Sequence, residues 1–540
     1  MSRDLGFPKL TFHGAARGVT GSCHKLETAS GTILIDCGMF QGSKTEKELN
    51  YRPFPFKAAA IDAVLLTHAH IDHSGLLPKL VHDGFSGSIH ATAATGGLVG
   101  VMLPDSAHIQ AMEVRHLNRR RARWHGDDVK PIYNDADVKR CLSLMQGHDY
   151  GDWFTVLPGV QARLWNAGHM LGSASVELEV MVPGHRTPMR LLFSGDLGPA
   201  YKLLHPDPEG PSGVDYVICE STYGDTDRPA ASDEMRRVLL CEEVKAAMRP
   251  DGALLIPSFA VERAQELISD LTRLIAQGDL PKIPIYVDSP LASRATEVFD
   301  RFSDTLEDGP AFDRALHSKN LHFTHDVEAS KALDYVQGFH IVIAASGMCE
   351  AGRIRHRLKR WLWSDAATVL FVGYQANGTL GRILVEGAKT VRIQGDAYDV
   401  RARIRTIDLY SGHADGPELE GWIAARGPIK GALFVVHGEE PAMEALEARM
   451  TPRLGETPVL RPVLDESFEL TPVGPRADNT SSEPRIRPEQ IGRLDWHNDV
   501  SALFLDLNEA LTKTTDEKSR NVLIRMIRRA LDDWKDTHGQ

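Results

Sequence analysis

The sequence predicts an α/β protein in which one domain is interrupted by a second, inserted domain. Short apolar strands that stop at polar residues occupy the beginning of the chain, and the same pattern returns after residue 403. Between them, strands alternate with glycine or serine turns and helices, which is typical of a mostly parallel sheet with helices on its faces. A stretch rich in Pro, Arg, Ser and Asn then precedes a helical tail.

The length of the chain and these changes of pattern set the predicted domains. A chain of 540 residues is too long for one ordinary hydrophobic core, so we expect two or three domains. The predicted boundaries are 1–222 for the first part of the interrupted domain, 223–403 for the inserted domain, 404–471 for the return segment, 472–490 for a linker and 491–540 for the helical tail.

The composition is that of an ordinary globular protein. No apolar run approaches the roughly 20 residues of a membrane helix, and the first ten residues lack the apolar segment of a secretory signal, so we expect a cytoplasmic protein without membrane contact. The six cysteines are scattered, which argues against disulfides or a cysteine metal site. A net charge of -12 does not indicate a nucleic-acid partner for the surface as a whole, although a cleft can be basic locally.

Polar residues follow the predicted strands of the interrupted domain. Apolar runs lead to Asp36, His68, Asp196, Glu220 and His437. Strands that end in this way bring their polar residues together on one rim of a sheet, where α/β proteins usually bind ligands.

Three histidines and an aspartate lie within residues 68–73. Neutral imidazoles and carboxylates are usual ligands of Zn²⁺. In an extended turn, His68 and His70 project to the same side, while Asp72 and His73 reach a neighbouring point. One loop can therefore supply two adjacent metal ions, whereas a solvated surface turn gains nothing from histidine at these positions.

Further metal ligands must come from distant parts of the chain, because a dinuclear site needs about three protein ligands per metal and a bridging carboxylate. His169 in a glycine-bordered turn and Asp196 after a strand are candidates. Taken alone, His169 would suit a hydrogen-bonded loop and Asp196 a turn or a helix cap. Their order after residues 68–73 favours a role at a metal.

The order of these motifs resembles the metallo-β-lactamase fold with a β-CASP insertion. That family includes the endonuclease subunit of the eukaryotic cleavage and polyadenylation factor and its prokaryotic relatives. The resemblance covers about residues 8–470 and rests on His-x-His-x-Asp-His at 68–73, Ser-Gly-His-Ala-Asp at 411–415 and His-Gly-Glu at 437–439. It implies a metallo-β-lactamase αββα sandwich and an inserted β-CASP domain built on a mostly parallel sheet with flanking helices. The C-terminal helical extension lies outside the resemblance.

The resemblance also implies two Zn²⁺ ions per chain. The first ion is expected to take His68, His70 and His169, and the second Asp72, His73 and His437. Asp196 is expected to bridge both ions.

Three further residues complete the implied site. Asp36 is expected to orient a ligand or the bound water from behind. Glu220 pairs with His413, which donates a proton to the leaving oxygen, and the acidic partner is expected to keep the proton on the ring. A hydroxide activated by the two metals would attack the phosphorus.

Turns at the strand ends of the inserted domain offer sites for RNA phosphates, because helix N-termini and arginines bind them. The candidates are Ser289, Ser346, Gly347, Arg353, Asn377 and Arg382. Ser289 and Ser346 equally suit ordinary helix N-caps, and Arg353 and Arg382 equally suit surface ion pairs.

The leading prediction is a zinc-dependent ribonuclease that cuts single-stranded RNA in the groove between the two domains. An endonuclease is favoured, and a 5′-exonuclease stays open. RNA is preferred because both His413 and His437 are present, whereas in the family the DNA-repair branch departs at the last of these motifs. The alternatives are a hydrolase of a small ester, thioester or lactam, against which the long insertion argues, and an RNA-processing scaffold with little activity.

The tail carries apolar residues at helical spacing. Val500 to Leu511 form one stripe and Val522 to Trp534 a second. Two helices of this size cannot bury their stripes alone, so we expect them to pack on the body or to join two subunits in a homodimer.

Overall fold

Two mixed β-sheets pack face to face in the interrupted domain. The computed structural model describes residues 6–121, 129–228, 232–375, 378–478, 485–486 and 516–538. Phe12 of the first sheet and Phe434 of the second are buried, and their ring centroids lie 5.2 Å apart. Apolar surface removed from water between the sheets is the main source of their stability.

Most strands of the described residues are short and buried, and a few are half-exposed. In chain order they are β1 (Lys9–Phe12), β2 (His24–Thr28), β3 (Gly31–Ile35), β4 (Ala63–Leu65), β5 (Ser88–Thr92), β6 (Met145–His148), β7 (Trp153–Leu157), β8 (Val160–Asn166), β9 (Ala174–Val180), β10 (Met189–Phe193), β11 (Tyr216–Glu220), β12 (Ala253–Pro257), β13 (Ile285–Asp288), β14 (Leu321–Phe323), β15 (His340–Ala344), β16 (Thr368–Phe371), β17 (Thr390–Ile393), β18 (Asp396–Asp399), β19 (Arg403–Thr406), β20 (Ala432–Val436), β21 (Val459–Leu460), β22 (Ser467–Thr471) and β23 (Gly474–Ala477).

The helices range from one turn to 29 residues. In chain order they are α1 (Lys44–Leu49), α2 (Ile71–Ser74), α3 (Leu77–His82), α4 (Ala93–Arg121), α5 (Asp135–Ser143), α6 (Asp233–Ala247), α7 (Arg263–Gln277), α8 (Pro290–Arg301), α9 (Gly309–Leu316), α10 (Val327–Ala332), α11 (Ile354–Trp361), α12 (Leu380–Val385), α13 (Gly416–Ala424), α14 (Glu440–Leu454) and α15 (Glu517–His538).

The interrupted domain has four layers. Its eight-stranded sheet has the order β23-β22-β1-β2-β3-β4-β5-β6, and its seven-stranded sheet has the order β21-β20-β11-β10-β9-β8-β7. Helices α3, α4 and α5 share a buried cluster with the outer face of the first sheet. Helices α13 and α14 do the same for the second sheet. The predicted αββα sandwich is therefore confirmed.

The inserted domain is built on a six-stranded parallel sheet with the order β14-β13-β15-β12-β16-β19. Alternate residues of each strand face opposite sides. Leu254 and Ile256 of β12 face a core that contains residues of α7, whereas Leu255 faces a core that contains residues of α11. The mostly parallel sheet with flanking helices is also confirmed.

Two predicted boundaries fall inside sheets. Strand β19 pairs with β16 of the inserted sheet, so the boundary predicted between residues 403 and 404 lies within a strand. Strand β23 pairs with β22 although residues 474–477 were assigned to the linker. Ile486, also in the predicted linker, is buried in a cluster with Phe40, Leu49 and Leu464. The linker prediction is thus wrong for these residues.

The second helix predicted for the tail corresponds to α15, while the first, at residues 500–511, lies outside the described residues. Val522 and Met526 of α15 are exposed, at 44% and 65% of their surface. No helix of the described ranges is long and apolar enough to cross a membrane.

A buried ion pair joins the inserted domain to the interrupted one. Arg236 Nε donates to Asp270 Oδ2 at 2.9 Å, and both side chains are almost completely buried. The Tyr410 hydroxyl donates to the same carboxylate oxygen at 2.8 Å, and Arg236 Nη1 donates to the carbonyl of Tyr201 at 2.8 Å. Arg236 and Asp270 belong to the insertion, while Tyr201 and Tyr410 flank it, so this network fixes how the two domains meet.

Removing one partner of a buried ion pair leaves the other charge uncompensated, which costs about 3–5 kcal/mol. We therefore expect Asp270→Ala to lower the thermal midpoint clearly, measured by scanning calorimetry. Asp279→Ala, at an exposed aspartate just after the same helix, is the matched control and should leave the midpoint nearly unchanged. Equal shifts in the two variants would contradict this role of the pair.

Candidate metal centre

The carboxyl ends of strands from both sheets bring the predicted polar residues to one edge of the sandwich. Asp36 follows β3, the stretch 67–73 follows β4, and Asp196 follows β10. Glu220 ends β11 and His437 follows β20. Neighbouring strands run parallel here, β3 with β4 and β11 with both β10 and β20, so their carboxyl ends meet at the same edge.

Three histidine nitrogens converge at the first group of donors. His70 Nδ1 lies 3.2 Å from His68 Nε2 and 3.1 Å from His169 Nε2. Asp196 Oδ2 lies 3.4 Å from the His68 nitrogen and 3.7 Å from the His169 nitrogen. Ligand atoms around a tetrahedral zinc with bonds of about 2.0–2.1 Å are separated by about 3.3 Å, so this group has the right size for such an ion.

A second group lies on the other side of the Asp196 carboxylate. His73 Nε2 and His437 Nε2 are 3.1 Å apart, and Asp72 Oδ2 is 3.7 Å from the His437 nitrogen. Asp196 Oδ1 faces this group, at 3.2 Å from His73 and 3.7 Å from His437. This oxygen is buried and accepts no hydrogen bond. An unpartnered buried carboxylate oxygen among imidazoles is what a metal centre requires, so the donor set fits one.

Burial controls the charge of the first group. It lowers the pKa of His68 and His169 well below the ordinary value and that of His70 to about 4. These rings are therefore neutral near pH 7, which is the state that binds a metal. At His73 and His437 burial also disfavours the charged ring, but Asp196 and the neighbouring carboxylates outweigh it and raise both pKa values.

Asp36 supports the centre from behind. Its backbone has a positive φ of 61°, which turns the side chain toward the loop after β4. Oδ1 accepts from the Thr67 amide at 2.8 Å, and Oδ2 lies 2.7 Å from His73 Nδ1. The carboxylate thus fixes the orientation of the His73 ring, as partners behind metal ligands commonly do.

Glu220 and His413 form a pair beside the two groups. His413 Nδ1 lies 3.1 Å from Glu220 Oε1, and its side chain is 21% exposed while that of Glu220 is buried. Glu220 is also near Asp196 and His437, so it could itself hold a metal. However, its oxygens accept from the backbone amides of Leu197 at 2.5 Å and Thr222 at 3.3 Å, which favours the pairing with His413.

Three family models match the chain. The metallo-beta-lactamase superfamily matches residues 16–99, the Beta-Casp domain matches residues 264–384, and the Zn-dependent metallo-hydrolase RNA specificity domain matches residues 397–462. Ribonuclease TTHA0252 of Thermus thermophilus is 38% identical over 80% of this chain and 94% of its own length. The chain belongs to the β-CASP family of metallo-β-lactamase-fold ribonucleases. Enzymes of this family are metal-dependent hydrolases.

Other relatives of this β-CASP protein differ in length and name. The RNase J-like protein of Methanocaldococcus jannaschii is 29% identical over 80% of this chain and 92% of its own length. The transcription termination factor FttA of Methanothermobacter thermautotrophicus is 29% identical over 81% of this chain but 68% of its own length. A crystal structure of a protein of unknown function from Enterococcus faecalis covers 86% of the chain with a TM-score of 0.51 and 12% identity, which shows a shared fold.

The residues predicted to bind phosphate in the β-CASP domain mostly have internal partners. Ser289 Oγ caps α8 by accepting from the Ala292 amide at 3.2 Å. Arg353 pairs with the buried Asp288 at 3.0 Å. These are the structural alternatives that the sequence left open, and they occupy both side chains.

The other predicted phosphate-binding residues are placed as follows. Arg382 pairs with Glu386 at 2.7 Å on the surface of α12. Ser346 Oγ accepts from the Ala351 amide at 3.2 Å, and the Gly347 carbonyl accepts from Gln375 at 3.1 Å. Asn377 lies outside the described residues. Contact of these residues with RNA stays a prediction.

The sequence did not predict two groups that contact the rings of candidate metal ligands. Thr222 Oγ1 lies 3.1 Å from His437 Nδ1, and the Gly412 carbonyl lies 2.6 Å from His169 Nδ1. Both fix the ring of a predicted ligand. The polar run after Glu220 was a usable signal for Thr222. A backbone carbonyl carries no signal in the side-chain pattern.

We expect Asp196→Ala to lose bound zinc, because the carboxylate faces both donor groups. His413→Ala is the matched control and should keep its zinc, because His413 lies outside both groups. Metal per chain is measured by mass spectrometry after dialysis against metal-free buffer. Equal zinc in the two variants would contradict the assignment of the ligands.

Proposed function

We propose that this β-CASP enzyme is a zinc-dependent ribonuclease that hydrolyses phosphodiester bonds of single-stranded RNA. The observation that carries the proposal is the Glu220–His413 pair beside two groups of metal donors, each of which faces one oxygen of Asp196. The names of Ribonuclease TTHA0252 and of the RNase J-like protein support the same substrate.

The proposed centre holds two Zn²⁺ ions. His68, His70 and His169 would bind one ion, Asp72, His73 and His437 the other, and Asp196 both. When bound, the ions would supply Lewis acidity toward the phosphate and toward a water molecule. The residues behind them keep the rings in place: Asp36 and Thr222 hold His73 and His437, respectively, and the Gly412 carbonyl holds His169.

His413 would supply the proton that the leaving group needs. The oxygen of a water molecule bonds to the phosphorus, and the water releases one proton to solvent. The bond from phosphorus to the 3′-oxygen breaks, and the ring nitrogen Nε2 of His413 gives its proton to that oxygen and is then reprotonated from solvent. The products are a 5′-phosphate and a 3′-hydroxyl. Glu220 accepts from Nδ1, which leaves Nε2 as the atom that faces the substrate, and the partial exposure of the ring allows the contact.

For the location of the protein and its mode of attack on RNA, we propose what the sequence predicts. A cytoplasmic endonuclease is proposed, with 5′-exonuclease activity as an outcome that product lengths would reveal. A chromogenic lactam and a thioester, offered in parallel, test for a small-molecule hydrolase. Purified protein with less than about one zinc per chain and no cleavage would instead identify a scaffold.

We expect the zinc-loaded protein to cleave single-stranded RNA labelled at either end, and His413→Ala to reduce the rate about 10²–10⁴-fold, which is the usual contribution of a general acid. Gel analysis of both labels gives the cleavage positions and the polarity. Normal cleavage by His413→Ala, with its zinc retained, would show that another group is the acid.

The proposal includes a homodimer joined through the tail. Val522 and Met526 of α15 are exposed, and no described side chain of this helix is fully buried. A second copy of the helix would bury this stripe.

We expect deletion of residues 487–540 to convert a dimer to a monomer, measured as mass in solution by light scattering. The deletion starts after Ile486, because that residue is buried against the body. An oligomer of unchanged mass would contradict the role of the tail.

A further inference from the structure

Arg263 is the first residue of α7 and lies at the carboxyl end of β12, next to the turn that carries His413. Its Nε donates to the carbonyl of Tyr410 at 3.0 Å. Within the part of the chain that the structure describes, its two Nη groups have no hydrogen-bond partner and no carboxylate lies within 4.0 Å of the guanidinium. Glu266 and Asp408 lie in its surroundings without pairing with it.

Arg263 is half-buried, and this burial lowers the pKa of its guanidinium below the usual value. Charged side chains in such positions are normally paired. Arg353 is paired in this way with Asp288. Arg228 has both Nη groups occupied, since they donate to the His413 carbonyl at 3.0 Å and to Ser411 at 3.1 Å. Arg263 therefore keeps its fork of donors available for an external anion.

Two glycines border the side chains of Arg263 and Phe259. A Cβ on Gly373, after β16, would lie 2.8 Å from the Cζ atom of Arg263. A Cβ on Gly347, after β15, would lie 3.1 Å from the ring of Phe259. The ring of Phe259 in turn lies over the Arg263 guanidinium, 4.8 Å from its centroid. Two glycines thus make room for one cation and one aromatic ring.

Aromatic rings continue from this place to the proposed general acid. Phe259 is 41% exposed and Tyr374, which follows Gly373, is 48% exposed. The rings of Tyr374 and Tyr223 are 6.5 Å apart between centroids, and those of Tyr223 and His413 are 6.0 Å apart. Exposed aromatic rings beside an available arginine are the usual elements of a surface that binds a single strand.

We infer that Arg263 binds a phosphate of the RNA strand next to the cleaved bond, and that Phe259 and Tyr374 stack on bases of the flanking nucleotides. The inference rests on the proposed function for the identity of the polymer. An arginine fork would hold the phosphate through two N–H groups, and each stacked base would add about 1–3 kcal/mol. None of these side chains was a candidate from the sequence.

Binding is measured separately from cleavage. In the zinc-loaded, full-length His413→Ala protein, fluorescence anisotropy with a labelled single-stranded RNA gives the affinity. We expect Arg263→Gln to weaken binding about tenfold or more and to reduce the salt dependence of log K by about 0.7. Arg273→Gln, at an arginine of the same helix that pairs with Asp308, is the matched control and should change the affinity less than twofold.

A second pair of measurements tests the bases. Phe259→Ala should weaken binding of a normal strand. It should not weaken binding of a strand with abasic nucleotides at the positions that Phe259 would contact. A structural role of Phe259 would weaken the binding of both strands equally. Zinc content and the thermal midpoint confirm that each variant is folded, and Arg263→Lys, which keeps the charge without the fork, should be intermediate.

The outcomes separate this inference from the proposed function. Unchanged RNA affinity in Arg263→Gln overturns the inference even if the wild type cleaves RNA. A wild type that binds RNA with the expected effects of Arg263 and Phe259 but does not cleave it supports the inference and overturns the proposed function. Competition by inorganic phosphate as strong as by RNA would indicate a site for free phosphate and would also overturn the inference.

Discussion

The Asp196 carboxylate directs its two oxygens toward two different groups of imidazole nitrogens, and the residue is buried. Burial alone would disfavour its charge, but His437 and His73 hold the pKa of Asp196 well below the usual value. One of its oxygens accepts no hydrogen bond, which costs about 1–3 kcal/mol unless positive charge compensates it. At this edge of the sandwich, one carboxylate therefore lies between two groups of imidazole nitrogens.

The fold brings these groups together through parallel strands. Residues from β3, β4, β10, β11 and β20 reach the same point only because neighbours in each sheet run in the same direction there. Parallel neighbours need long connections, and here these connections include α6, α7 and the whole inserted sheet between β11 and β20. The β-CASP domain is thus placed beside the metal centre by the same topology that assembles the ligands.

The layers of the fold and the residues that form the candidate centre could be predicted from the sequence because the signal was local or matched a known order of motifs. The pattern from His68 to His73 predicts two groups of metal donors within six residues. The sequence pattern did not predict contacts between residues that are distant in the chain. These are the contacts of Thr222 with His437, of the Gly412 carbonyl with His169, and of Asp288 with Arg353, which form an ion pair. Strand β23 was hidden by Gly474 and Pro475, which suit a linker but are also tolerated in an edge strand.

The glycine turns of the inserted domain show why position alone does not assign a ligand. From the sequence, the turn at Gly347 was predicted to bind a phosphate through its backbone amides. In the structure, Gly347 and Gly373 border the side chains of Phe259 and Arg263, and any larger residue would displace them. The small residue and the interacting residue therefore lie on different strand ends. Beside an arginine without an acidic partner, such as Arg263, a glycine at the end of a strand provides space for the arginine side chain. This interpretation fits Gly373 better than a phosphate-binding backbone amide does.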